Sequence, residues 1–176
     1  GGGGMILTNS KKIYEKSIYL TTQAKDDGKL FIHDDIGYNY RLSNVHAAIG
    51  LAQLENIDKV IRKKRKIYNY YKKKINNKKN VELFTIREVA TSNYWLNIIS
   101  LKKNLDNIKM KKLIKKFEIN GIEVRPIWKP NHLQKKYSKY QRYLIDNALN
   151  ITSSCLCIPS DLKLIKNDMD KVIDLL

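Results

Sequence analysis

"HDDIGYNYRLSNVHAAIGLAQLE", running from His33 to Glu55, changes character halfway along. The first half gathers charge, Gly37, Tyr38, Asn39, Tyr40 and Arg41; the second is small, smooth and apolar. Ser43 stands near the junction as an N-cap, and Val45, Ala48, Ile49 and Ala52 follow at the spacing of one helix face. Ala47, Ala48, Gly50 and Ala52 make that helix thin, which suits close packing against another backbone. A helix start presents unpaired N–H groups and a partial positive charge that favour anions. Just ahead of it, Asn39 supplies an amide donor and Arg41 a guanidinium fork that matches phosphate. Tyr38 and Tyr40 add a hydroxyl or a ring to stack on. Chemically this suits a phosphate; as plain structure it is a capped loop with surface tyrosines.

Outward from that stretch, the "GGGG" run alone suggests a linker, but Met5, Ile6 and Leu7 then read as a short strand. Thr8, Asn9 and Ser10 cap a helix from about Lys11 to Leu20. "TTQAKDDGKLFIHDD" is polar and turn-rich, a loop of functional length. Downstream, Ile57, Ile61, Tyr68, Tyr71 and Ile75 recur at helical spacing, so "KVIRKKRKIYNYYKKKINNKK" (Lys59 to Lys79) reads as one long amphipathic helix. "VELFTI" and "NYWLNIISL" (Asn93 to Leu101) read as strands, and "NIKMKKLIKKFEIN" as a helix closed by Gly121. "IEVRPIW" is a third strand, stopped by Pro126 and Pro130; "YQRYLIDNALN" is a helix, "CLCIPS" a final strand and "KNDMDKVIDLL" the closing helix. The pattern is α+β: two helices, then a small unit with an antiparallel sheet.

Lys and Arg number 34 against 17 acidic residues, a net charge of +17. Basic patches neutralise phosphates and release counterions, so a nucleic-acid-binding module built on Lys59 to Lys79 is one class to weigh. The lysines are scattered over the chain, however, and the apolar stripe makes that run a helix with a solvated basic face. No apolar run reaches the roughly 20 residues that span a bilayer, and no signal peptide is expected. Cys155 and Cys157 are too close for an easy disulfide and too few for a zinc site. A reduced, cytoplasmic setting with no membrane partner and no metal is the expectation.

A second cluster, "GIEVRPIWKPNHLQ", sets Arg125, Trp128, His132 and Gln134 on a proline-stiffened loop. An arginine, an indole and an imidazole on such a loop suit a ligand-facing surface. The plain alternative is a core tryptophan and a structural histidine.

The His33–Glu55 stretch resembles the signature of the DegT/DnrJ/StrS family of sugar aminotransferases, pyridoxal-phosphate (PLP) enzymes of fold type I, the aspartate aminotransferase-like fold. "GIEVRPIWKPNHLQ" and "CLCIPSDL" resemble that family's C-terminal region in the right order, and "TTQAKDD" followed by His33 tilts the likeness toward 4-amino-sugar-forming members of the legionaminic-acid and bacillosamine type. The resemblance implies that residues 1–55 end a large cofactor domain and carry an interface and phosphate loop. Residues 56–176 would form a small C-terminal domain opening with a long linking helix. By resemblance, the lysine that links the cofactor as a Schiff base sits just before a glycine run like "GGGGMILTN" and is expected upstream of Gly1. No lysine here inherits that role, since Lys11 and Lys12 fall on the wrong side of the glycines. Asn39 matches the position that reaches across a homodimer with shared active sites to the partner's cofactor phosphate. Arg41 matches the arginine of the same motif, near substrate phosphates, and His33, Tyr38, Arg125, Trp128 and His132 match substrate-side loops.

The implied parent reaction is a ping-pong transamination from an amino-acid donor, glutamate by likeness, to a 4-keto-6-deoxy nucleotide sugar for surface-polysaccharide or glycan biosynthesis. A sister reading within the fold is a sugar dehydratase whose members replace that lysine, and a third is a truncated, non-catalytic interaction domain. By itself the chain is expected to catalyse nothing. The Lys59–Lys79 reading carries its own test: electrophoretic titration of the full-length protein with duplex and single-stranded nucleic acid is expected to show no tight, steeply salt-dependent complex, whereas such a complex would overturn the solvated-helix reading.

Overall fold

The structure is a computed structural model that describes residues 2–85 and 89–176. The chain divides into two compact units, Gly1–Ile57 and Asp58–Leu176. In the first, Ser10 accepts the Ile13 N–H and opens α1 (Lys11–Thr21), and Ser43 accepts the His46 N–H and opens α2 (Asn44–Glu55). Both caps fall where Ser precedes the periodic residues, and each satisfies an N–H that a helix start otherwise leaves unpaired. The strand expected at Met5–Leu7 is absent: the three residues are exposed, and no strand pairs with them among the described residues.

The loop between α1 and α2 is held by backbone pairing. Thr22 bridges Asn39 and Asp27 bridges Ile32 in antiparallel sense. Gln23 and Ala24 both take positive φ (73° and 49°), a left-handed pair that turns the chain sharply after α1. Gly37 crosses this turn so closely that a Cβ there would lie 2.2 Å from both the Ala24 nitrogen and the Gln23 carbonyl carbon. Ala24 is the one buried apolar residue of this unit among the described residues, and neither α1 nor α2 buries any residue.

The second unit has a true core. It opens with α3 (Ile57–Ile75), whose buried stripe is Ile67, Tyr71 and Ile75. Two expectations shift here. Ile57 is exposed and Ile61 and Tyr68 are half-buried, so Ile67 takes the place they were given. The helix also stops at Ile75 rather than Lys79, where Asn76 and Asn77, which favour turns over helix, follow and the Lys78 N–H closes back on the Ile75 carbonyl.

Strands β1 (Val81–Leu83), β2 (Asn97–Leu101), β3 (Arg125–Pro126) and β4 (Cys155–Ile158) form one sheet in the order β1-β2-β4-β3, with every pair antiparallel. Central β4 is buried along its whole length, and Leu156 lies opposite Ile99 of β2. Between the strands run α4 (Asn107–Ile119), capped by Asp106, and α5 (Asp146–Ser154); α6 (Lys166–Asp174) closes the chain. Gly121 takes φ +71° just past α4, as a C′ glycine does. Phe117 of α4 and Met169, Val172 and Ile173 of α6 join the α3 stripe and the strand residues in one cluster. Cys155 and Cys157 are buried thiols, and burial pushes the Cys157 thiol up.

Several strands are shorter than their sequence patterns. β1 ends at Leu83, and Ile86, the last residue of its expected run, lies outside the described residues. β2 begins only at Asn97, because Tyr94 takes a positive φ of 53° while Ser92 and Asn93 side chains accept the N–H groups of Tyr94 and Trp95. β3 keeps two residues, on a sheet edge, where Pro126 lacks an N–H to donate. α5 starts at Asp146 and not at Tyr140, since Leu144 sits at φ 48°.

Two substitutions test these accounts. Gly37→Ala puts a methyl into occupied backbone space, and overpacking of this kind costs about 1–3 kcal/mol; amide exchange is expected to accelerate across 22–40 while the Asp58–Leu176 unit keeps its protection. Unchanged exchange in 22–40 would refute the close approach. Among the described residues the buried Tyr71 hydroxyl has no hydrogen-bond partner. Removing an unpaired buried polar group is neutral or stabilising, by about 1 kcal/mol, so Tyr71→Phe should hold or raise the urea midpoint, and a clear fall would show that the hydroxyl is satisfied.

Candidate functional site

The segment 37–41 is set by its pairing with the end of α1. Tyr38 N–H donates to the Leu20 carbonyl at 2.7 Å, Tyr40 N–H to Thr21 at 3.1 Å, and Gln23 N–H to Tyr38 at 3.1 Å. Tyr38 and Tyr40, two residues apart, stack at 5.0 Å between centroids. Alternation along an extended segment sets Asn39 and Arg41 off from that pair. Both are exposed, and among the described residues neither side chain makes a hydrogen bond or ion pair within the chain. A half-open cavity of about 880 Å³ lies in the same unit, bounded by Tyr40, Arg41 and His46 with Gly3, Tyr14 and Thr21.

The loop behind these donors is braced by charge. Asp26 Oδ2 accepts the Tyr19 hydroxyl at 2.8 Å and the Asp34 N–H at 2.7 Å. Those two donors, the Asp34 N–H first, hold the Asp26 carboxyl below the usual range. Partial burial and then the Asp26 bond push the Tyr19 phenol up to about 12. Lys16 and Asp35 pair at 2.6 Å. His33 Nδ1 lies 2.7 Å from the Gln23 carbonyl, so Nδ1 carries a proton and donates there. In the neutral ring, Nε2 is then an acceptor.

In the second unit the other expected residues part company. Arg125 Nε and Nη2 both reach Glu123 Oε1, at 2.8 and 2.6 Å, on the exposed surface. Trp128 lies near-parallel to Trp95, with centroids 6.1 Å apart. His132 sits on a short 3-10 turn, Asn131–Leu133, with its Nε2 buried and unpartnered among the described residues.

Sequence reasoning missed Trp95 and what holds it. Lys64, inside the basic run read as solvated, is half-buried: its ammonium donates to the Trp95 carbonyl at 3.2 Å and to the Ser160 carbonyl. Ser160 Oγ in turn accepts the Asn97 backbone N–H at 2.8 Å and its side-chain amide at 2.9 Å. The signal was Ser92 and Asn93 just ahead of the indole, residues whose side chains compete for nearby backbone N–H groups and favour turns. Among the described residues there is no cluster of metal-ligating side chains and no helix long and apolar enough to cross a membrane.

The profile of the DegT/DnrJ/EryC1/StrS aminotransferase family matches residues 1–176. A Bacillus subtilis (strain 168) protein named as a pyridoxal phosphate-dependent aminotransferase, EpsN, is 30% identical over 179 residues, 99% of this chain and 45% of that protein. The GDP-perosamine synthase of Escherichia coli O157:H7 is 37% identical over 155 residues, 85% of this chain and 40% of that protein. A sugar aminotransferase from Streptococcus pneumoniae, solved in its PLP form, shares the fold at a TM-score of 0.80 and 16% identity, covering 95% of this chain and 43% of that one. The chain thus spans less than half the length of these relatives. With the family's profile matched over residues 1–176 and a four-stranded antiparallel sheet with helices in its second unit, this chain belongs to the DegT/DnrJ/EryC1/StrS aminotransferase family, on the type I fold of PLP enzymes.

Proposed function

We propose that this chain is the C-terminal half of a cytoplasmic PLP-dependent aminotransferase that passes an amino group from glutamate to a 4-keto-6-deoxy nucleotide sugar for surface-glycan synthesis. The observation that carries this reading is the pair Asn39 and Arg41, two exposed phosphate donors on a segment pinned by three backbone bonds. Such a pair fits the phosphate end of PLP or a substrate diphosphate, because an amide and a guanidinium offer free N–H donors that no carboxylate of the described residues engages. The family membership and a relative named for a GDP-linked sugar support the same substrate class.

The cofactor, when bound, supplies the electron sink for amino transfer. This chain's residues do the holding. Asn39 grips the cofactor phosphate of a partner subunit, and Arg41 meets substrate phosphates or keeps the loop in place. His33 and Tyr38 are substrate-side residues of the first unit's loop, and Arg125, Trp128 and His132 are substrate-side residues of the second unit. Residues 1–55 belong to the end of a large cofactor domain and 56–176 to the small domain, and no lysine of this chain is given the cofactor link.

Homodimerisation is part of the proposal, and α2 offers an apolar face either to a second subunit or to the rest of the domain that residues 1–55 end. Val45 is 69% exposed, Ile49 57%, Leu51 58% and Leu54 65%, so the helix is apolar around its circumference with nothing from its own unit to cover it. A helix of that kind is ordinarily buried.

Asn39→Ala in the full-length enzyme separates holding from folding. An exposed polar side chain contributes within about 0.5 kcal/mol to stability, so the cofactor-free protein should melt unchanged while the cofactor is lost several-fold more readily on dialysis. Unchanged cofactor retention, or a cofactor-free protein that no longer folds, would contradict the assignment.

A further inference from the structure

Trp95 and Trp128 are the two tryptophans of the chain, and each is 64% exposed. Large indoles left this open are uncommon unless something lies on them. Their rings are near-parallel, with an interplanar angle of 28° and centroids 6.1 Å apart. That separation is too small to admit a third ring between them, so each indole keeps its outer face.

The Trp95 side of the pair is built rather than accidental. Tyr94 adopts a left-handed φ of 53°, a costly conformation for a bulky residue, and strain of this kind collects at ligand sites. Tyr94 turns back against Tyr68 at 4.9 Å and beneath Arg65, and the next residue, Trp95, is turned outward. The Asn93 side chain accepts the Trp95 N–H, Lys64 holds its carbonyl, and Asn97 two residues on is tied to Ser160. Trp128 is followed at once by Lys129, exposed and cationic, and Arg125 lies three residues before it, its guanidinium committed to a surface ion pair that water readily replaces.

We infer that Trp95 and Trp128 form a stacking platform for the base of the nucleotide-linked sugar, with Lys129 and Arg125 on the diphosphate side. The inference rests on the proposed aminotransferase function and names the part of the substrate that the second unit takes. A nucleobase is planar, aromatic and uncharged, as an open indole face requires, and its diphosphate suits the flanking cations. Stacking is tolerant of base identity, so the platform supplies affinity for a base without selecting which one.

The test is calorimetric titration of the full-length enzyme and its Trp95→Leu, Trp128→Leu and Trp95→Phe variants with GDP, with UDP and with pyrophosphate as the probe lacking a base. Loss of stacking is expected to weaken GDP and UDP by about 10-fold in each leucine variant. Pyrophosphate affinity should stay as in the parent, and Trp95→Phe should recover most of the loss. Unaltered GDP and UDP binding in both leucine variants overturns the platform, as does an equal weakening of pyrophosphate, which would mean that the indoles only support the fold or cover another protein surface. If the parent aminates a nucleotide-linked keto sugar while the leucine variants bind GDP and UDP normally, the platform alone fails. If the parent neither binds these diphosphates nor aminates such a sugar, the proposed function fails with it.

Discussion

The first unit depends on one close approach. Gly37 lies against the left-handed Gln23–Ala24 turn with no room for a side chain, and Ala24 in that turn is the unit's one buried apolar residue among the described residues. The close approach brings the backbone of 38–40 against the end of α1, and those bonds orient everything that follows: the stacked tyrosines, the amide of Asn39, the guanidinium of Arg41 and the Ser43 cap. The Asp26 hub and the Lys16–Asp35 pair brace the same loop from behind. A loop built this way holds donors at fixed positions by backbone geometry, which leaves the side chains themselves unspent.

The second unit works from the opposite starting point. Its sheet is closed around β4, and helices α3, α4 and α6 contribute to one apolar cluster with it. On this rigid base a small polar network decides where the surface residues point. Lys64, Asn97 and Ser160 join α3, the start of β2 and the segment after β4, so the chain entering β2 leaves Trp95 outward and Tyr94 tucked back. A buried asparagine and a half-buried lysine are expensive choices for packing alone; both donate to one serine, Lys64 to the Ser160 carbonyl and the Asn97 amide to its hydroxyl, while Asn97 Oδ1 has no partner among the described residues.

Much of this was legible in the residues. Ser10 and Ser43 announce their helices, Gly121 ends one, and the short apolar runs in "CLCIPS" and "NIISL" yield paired central strands, because each of these signals acts through its immediate neighbours. Asn39 and Arg41 were legible as donors for the same local reason. The errors arose where a distant contact overrode local preference. "NYW" has every mark of a strand, yet side-chain bonds from Ser92 and Asn93 and a left-handed Tyr94 turn it away from the sheet. Lys64 looks like any other lysine on a basic face until two carbonyls far away in sequence are placed beside it. Met5–Leu7 carries strand-forming residues without a partner strand, and pairing, not propensity, makes a strand. Gly37 could be seen as a glycine, but the residue it needed to approach could not.

The bare flanks of α2 carry a further consequence, for the order of the segment that leads into it. Three residues join Asn39 to the cap of this helix, so the donors inherit whatever order the helix has. A helix without apolar cover among the described residues gains order from whatever comes to lie on it, further chain of the same domain or a second subunit. Where that cover comes from a second subunit, the order of the segment ahead of α2 becomes a mass-action property, while the second unit, with its own apolar cluster, keeps an intrinsic stability.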